Sequence, residues 1–229
     1  MGDYTDGIST SERAILGDMH DTTKETMRNT YKGVAKTLTN ELSFMKGRIV
    51  GMLGGNHFFE FESGTTTDHV LAHNLNAKYL GVCGFVRINV EFGEVKKGQD
   101  RGYLDIFAHH GKGGGTLVGS TVNAIDKMQA TADADFYLMG HTHGKATLPA
   151  TPKLKLIANK RGGVSVRERT PWLGRTGSFL KAYEPGKKSY NVDAGRSPCA
   201  LGWIEYEITP TRVKKDGLDF VEFKIRGTS

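Results

Sequence analysis

Cysteine is scarce: Cys83 and Cys199 are the only two in 229 residues. They are too few and too far apart for a disulfide framework, so a reducing compartment and a buried thiol at Cys83 are expected. Long apolar runs are missing too. No stretch approaches the roughly 18 apolar residues of a transmembrane helix, and the start from Gly2 to Arg13 is polar, unlike a secretory signal. These absences predict a cytoplasmic protein with no membrane partner. There is no internal repeat and no low-complexity tract, and one domain over residues 1–229 is the expectation for this length. Histidine vanishes after His143, since all eight lie between His20 and His143. Side chains of the metal-ligating type are therefore concentrated rather than scattered.

A basic balance stands against these absences. The net charge of +6 and pI near 9.2 favour phosphate-bearing or otherwise acidic partners, although such a charge also keeps proteins soluble. Three apolar runs stop at polar ligands: RIVGMLGG before Asn56 and His57, GYLDIFA before His109 and His110, and DFYLMG before His141, Thr142 and His143. A run of β-formers that ends this way places its ligands at the carboxyl edge of a sheet, where open α/β folds bind substrate. The pattern points to a metal site.

Around these junctions, Met27, Tyr31, Val34, Leu38 and Leu42 mark a long amphipathic helix over 22–44, with Thr22 and Glu25 as its T-x-x-E capping box. A strand over 48–53, a helix over 67–77, a hairpin built from VCGFVRINVEF and YLDIFA around the turn at Gly98, a helix over 117–130 and a strand over 136–139 follow. From residue 150 onward the chain turns to strands: LKLIA, GVSVRE, GWIEYEI and FVEFKI. The basic stretch from Lys153 to Arg175, with Trp172 and then Phe179, reads either as a nucleic-acid track with stacking aromatics or as a charged surface loop, the loop being the simpler reading. Gly111 to Gly115, with Lys112, is either a phosphate cradle or a flexible turn, and it is not a Walker motif. His69 and His73 have the spacing of a zincin pair, but HVLAH lacks the glutamate, so they read as helix-surface residues.

The ordered set Gly-Asn-His, then His after a strand, then Gly-His-x-His resembles the calcineurin-like metallophosphoesterase family, and Gly2-Asp3-Tyr4-Thr5-Asp6 resembles its Gly-Asp-x-x-Asp element. The tail, with RTGSFLK and Tyr190, is similar to phage-type members. The resemblance implies an α/β fold of two packed mixed sheets flanked by helices, with the metal motifs between residues 2 and 143. It implies two divalent ions (Mn, Fe, Zn or Ni), Asp3 as the bridging carboxylate, and Asn56, His109 and His141 completing one metal, while His143 serves the other. His57 would touch the substrate, His110 and Lys112 are further substrate candidates, and Glu60 is the candidate orienting acid. The implied chemistry is hydrolysis of a phosphoester, such as a phosphodiester, a nucleotide or nucleic acid, by water activated at the metals.

The family also carries an Asp-x-His element on a first strand upstream of Gly-Asp-x-x-Asp. Only Met1 precedes Gly2 here, so an N-terminally truncated domain is expected, with one metal undersupplied. Asp18-Met19-His20 has the right form but no following Gly-Asp pair. A non-catalytic protein that binds metal or nucleic acid is therefore the competing expectation.

Overall fold

The computed structural model describes residues 1–5, 7–92, 101–113, 117–158, 163–181, 183–187, 189–193, 195, 198–199, 201–215 and 218–229. They form two compact units, Met1–Gly84 with Ala108–Lys112, and Phe85–Phe107 with Gly113–Ser229. Asp6, the turn at Gly98 and the Gly114–Gly115 half of the glycine run lie outside the described residues.

In the first unit, a short helix α1 (Thr10–Arg13) opens on a capping box between Ser9 and Glu12. Helix α2 (Asp21–Glu41) follows. The capping box expected at Thr22 does not form: the helix begins one residue earlier, with His20 at its cap. Thr22 is then already inside the first turn, and its hydroxyl pairs with His20 Nδ1 at 2.9 Å. Helix α3 (Thr67–Asn74) is capped by the Thr66 hydroxyl, which accepts from His69 N–H. It ends where Asn76 turns left-handed at φ 55°. The N–H groups of Asn76 and Ala77 then reach back to His73 and Ala72 carbonyls, satisfying two acceptors of the last turn.

Leu71 and Ala72 of α3, with Leu75 just past its end, pack on Met52, and Leu38 of α2 and Leu42 just past that helix lie against them. The strand expected over 48–53 is reduced to one parallel bridge, Met52 to Tyr79. Leu71 is 1% exposed, so Leu71→Ala is expected to cost about 2–5 kcal/mol of stability in urea unfolding; a loss under about 1 kcal/mol would contradict this packing.

The second unit is built on a five-stranded mixed sheet, with β1 (Cys83–Glu91), β2 (Arg101–His109), β3 (Phe136–Met139), β4 (Lys145–Pro149) and, after the hairpin β5 (Lys153–Ala158) and β6 (Val164–Arg169), strand β7 (Trp172–Thr176). The order is β1-β2-β3-β7-β4. Cys83 is exposed rather than buried, because β1 is an edge strand whose alternate side chains face outward and Cys83 falls on that outer face. Strand β7 runs parallel to β3 and antiparallel to β4. Helix α4 (Val118–Asp126) lies on one face, where Ile125 and Met128 meet Phe107, Tyr137, Met139 and Leu173. The other face carries the hairpin β8 (Glu205–Lys215) and β9 (Leu218–Thr228). Tyr206 of β8 meets Phe136 and Trp172 edge-on, with ring centroids at 4.9 and 5.8 Å. Gly174 makes the approach possible, because a Cβ there would come within 2.6 Å of both Ile204 and Tyr206.

The layered α/β arrangement expected from the sequence is therefore present, its second sheet being a two-stranded hairpin. The basic stretch over 153–175 is not a surface loop. Its described residues fold into β5, β6 and β7, and β7 is an interior strand disguised by Gly174 and Arg175. Among the described residues, no helix is long and apolar enough to cross a membrane.

Candidate metal site

The first unit brings Asp3, Asn56, His57 and His110 together. The loop from Gly54 to His57 aims two successive backbone N–H groups at one carboxylate oxygen: Asp3 Oδ1 accepts from Asn56 at 2.7 Å and from His57 at 2.8 Å. Glycine is required at 55, because a Cβ there would overlap Asp3 N and Oδ1. Burial pushes the Asp3 carboxyl up, but bonds from His110, His57 and Asn56 outweigh it and hold the group at about 2. Asp3 is thus a carboxylate at any ordinary pH.

His110 is 2% exposed and sits just past the end of β2. Its Nδ1 stands 2.8 Å from the Met1 carbonyl, which can only accept, so Nδ1 carries a proton. In the neutral ring, Nε2 then presents a lone pair. That lone pair faces Asp3 Oδ2 at 3.2 Å and Asn56 Oδ1 at 3.0 Å, two further acceptors. Two oxygens thus face one ring nitrogen, and a proton on Nε2, an Asn56 amide turned to offer its NH2, or a cation would each reconcile them. Burial works to lower the His110 pKa, but the bonds to Asp3 and Met1 outweigh it and raise it, which is the protonic solution. A metal is another. Ligands bonded at about 2.0–2.2 Å to one ion stand about 3 Å apart, which is the spacing of His110 Nε2 from each of the two oxygens.

The sequence pattern favoured His109 over His110 as the ligand, and the structure brings His110, not His109, to Asp3 and Asn56. His109 Nδ1 instead accepts the Gly111 N–H at 2.7 Å. Burial and the neighbouring His110 lower its pKa. Lys112 is exposed, and so are Asp18 and His20. His57 is half-buried and contributes its backbone N–H to Asp3. Glu60 is exposed and does not orient the site.

The acid that does is Asp68 of α3, which the sequence pattern does not single out. It is 1% exposed, and its Oδ2 accepts the Gly55 N–H at 2.8 Å, pinning the loop that presents Asn56. Nothing in the motif spacing marks it; its one signal is an acidic side chain in the first turn of a helix that leaves the helix unserved. Burial, chiefly, raises its pKa to about 6. A folded value above the unfolded one means that this group's contribution is fully present below about pH 4 and is lost as pH rises through about 6. In EDTA-treated protein, raising the pH from 4 to 7 is expected to cost about 2 kcal/mol through Asp68 alone. Asp68→Asn keeps an acceptor for Gly55 and should flatten that slope in urea unfolding; identical slopes would refute the assignment.

His141 and His143 stand in the second unit, on the turn after β3. Both are half-buried and left-handed, at φ 67° and 57°, and Thr142 N–H closes onto the Gly140 carbonyl at 2.9 Å. Among the described residues, four that are not glycine have positive φ. One, Asn76, terminates a helix. The other three are Asp3, His141 and His143, all singled out as metal ligands from sequence. Such conformations cost about 1–3 kcal/mol each and gather where function imposes them.

No family model matches the chain, and no curated protein matches it. Among solved structures, it is similar to a Vps29 double mutant from Entamoeba histolytica, at 15% identity over 84% of this chain and 89% of that one, with a TM-score of 0.33. A likeness of this degree leaves the site to be argued from its own atoms.

Proposed function

We propose that the chain is a metal-dependent phosphoesterase whose first unit holds a divalent cation through Asp3, Asn56 and His110. The observation that supports this reading is the convergence of Asp3 Oδ2, Asn56 Oδ1 and His110 Nε2, three acceptor atoms when the ring is neutral. A carboxylate, an amide oxygen and an imidazole suit Mn, Fe, Zn or Ni better than Ca. Such an ion would supply Lewis-acid activation of water and neutralise charge on a phosphoryl group.

The chain's own residues do the rest. Asp3, fixed by two backbone N–H groups, keeps its second oxygen aimed at the cation position. Asp68 holds Gly55, and through it Asn56, in place. His57 is proposed to contact the phosphoester and donate a proton to the departing oxygen. Lys112 is exposed and available to an anionic substrate. His141 and His143 are proposed as further metal ligands, on the sequence pattern and on their strained backbone.

The test is hydrolysis of an aryl phosphodiester with added Mn²⁺, alongside metal content. Activity lost with EDTA, and lost in both Asn56→Ala and His57→Ala, supports the reading. Full activity in both variants sinks it. A tightly bound metal without any hydrolysis in excess Mn²⁺ would replace it with a non-catalytic metal-binding protein.

A further inference from the structure

Helix α2 carries Arg28, Lys32 and Lys36 at successive steps of four, so the three cations form one stripe along its length. The positions three and four residues from either lysine hold no acid, and the helix therefore sets like charges beside each other instead of pairing them. Arg28 finds a partner across the chain in Glu62. Among the described residues, Lys32 and Lys36 have no ion-pair partner. Both ammonium groups are left for an anion from outside the chain.

The stripe borders a groove of about 400 Å³ that lies wholly in the first unit, between α2, the turn over residues 61–65, and α3. The turn is tightly closed, with Phe61 N–H donating to the Thr65 carbonyl and Gly64 N–H to the Phe61 carbonyl, each at 2.8 Å. Gly64 supplies the left-handed residue it needs, at φ 75°. The deeper lining is apolar: Ala35 is 2% exposed, and Phe61 and Val70 are half-buried. The Phe61 ring is braced edge-on by Phe59, with centroids 5.3 Å apart. The mouth is polar, since Lys32 and Lys36 are exposed, and the Ser63 and Thr65 hydroxyls stand 2.7 Å apart in the same wall.

These features select a ligand by chemistry. Sites for small molecules span about 300–1,000 Å³ and combine apolar walls with a few polar groups, as this groove does. Lys32 and Lys36 are one turn apart, about 6 Å along the axis, so their flexible stems can close on a single phosphate from two sides. A braced aromatic ring beside Val70 gives a flat apolar surface suited to another ring. The two hydroxyls can serve the polar part that joins ring to phosphate.

We infer that this groove binds a mononucleotide, with its base against Phe61 and Val70 and its phosphate between Lys32 and Lys36. Inorganic phosphate would use the lysines and leave the apolar lining wet. An uncharged nucleoside would use the lining and leave the lysines repelling each other. A mononucleotide satisfies both halves at once. None of the residues that line the groove belongs to the proposed metal site, so the inference stands or falls separately from the phosphoesterase reading.

The experiment is calorimetric titration of the full chain, in EDTA and at constant ionic strength, with AMP, ribose 5-phosphate, adenosine and inorganic phosphate. AMP is expected to bind most tightly, with each of the other three weaker by at least about 10-fold, because each lacks the base, the phosphate or both the base and the sugar. Lys32→Gln combined with Lys36→Gln, at exposed positions where glutamine suits a helix as well as lysine does, should keep the fold and lower AMP affinity by at least about 10-fold. Phe61→Leu should weaken AMP and leave ribose 5-phosphate unchanged. His110→Ala should bind AMP like the wild type. No heat from AMP overturns the site, as does undiminished AMP affinity in the double lysine variant. Ribose 5-phosphate binding as tightly as AMP overturns the nucleotide assignment, and AMP binding lost in His110→Ala overturns the groove as its location.

Discussion

His110→Ala is expected to strip the first unit of its metal, while His109→Ala leaves metal binding nearly intact. The two imidazoles are adjacent in sequence and follow the same strand, yet only His110 Nε2 points at Asp3 and Asn56. Outer partners of metal ligands already contribute roughly 10–100-fold in affinity, so loss of a ligand should cost more than about 100-fold. His109 holds the Gly111 N–H; its loss should cost about 1 kcal/mol of stability and little affinity. Titration of apo protein with Mn²⁺ separates the two. The reverse pattern, with tight binding kept in His110→Ala and lost in His109→Ala, would move the ligand back to His109.

Gly55→Ala should be nearly as damaging with the change of a single methyl group. The added carbon would land on the backbone nitrogen and carboxylate of Asp3, neither of which is the far end of a flexible side chain. Either Asp3 is expelled from its two N–H donors or the loop carrying Asn56 retreats. Both outcomes part the three acceptor atoms. Metal affinity is expected to fall by at least about 100-fold while a cooperative unfolding transition persists, because the apolar cluster around Leu71 and Leu75 lies outside the loop. Affinity within a factor of two of wild type would show that the loop is not a rigid cradle.

The elements whose apolar period is strong were legible in the sequence. Helix α2 announces itself through Met27, Tyr31, Val34, Leu38 and Leu42, and β3 through an unbroken apolar run. Strand β7 was not legible, because a local window sees Gly174 and Arg175 as loop residues; only the partner strands and the hairpin above Gly174 explain a glycine there. The candidate site shows the same division. Asp3, Asn56 and the histidine clusters stand out by type and spacing. Which of His109 and His110 turns inward depends on the geometry at the end of β2, and Asp68 acts through a backbone N–H thirteen residues away in the chain, which no motif spacing records.

The placement of β7 between β3 and β4 bears on the order of folding. Two strands joined by a five-residue turn would ordinarily zip together at once as a hairpin. Here the slot between them is filled by a strand that arrives only after the whole β5–β6 hairpin has been traversed. The turn bearing His141 and His143 therefore cannot take its final shape until residues 172–176 have slid into the gap, and each such long-range closure is slow. The histidine turn is a late product of folding, completed by the same step that buries Arg175.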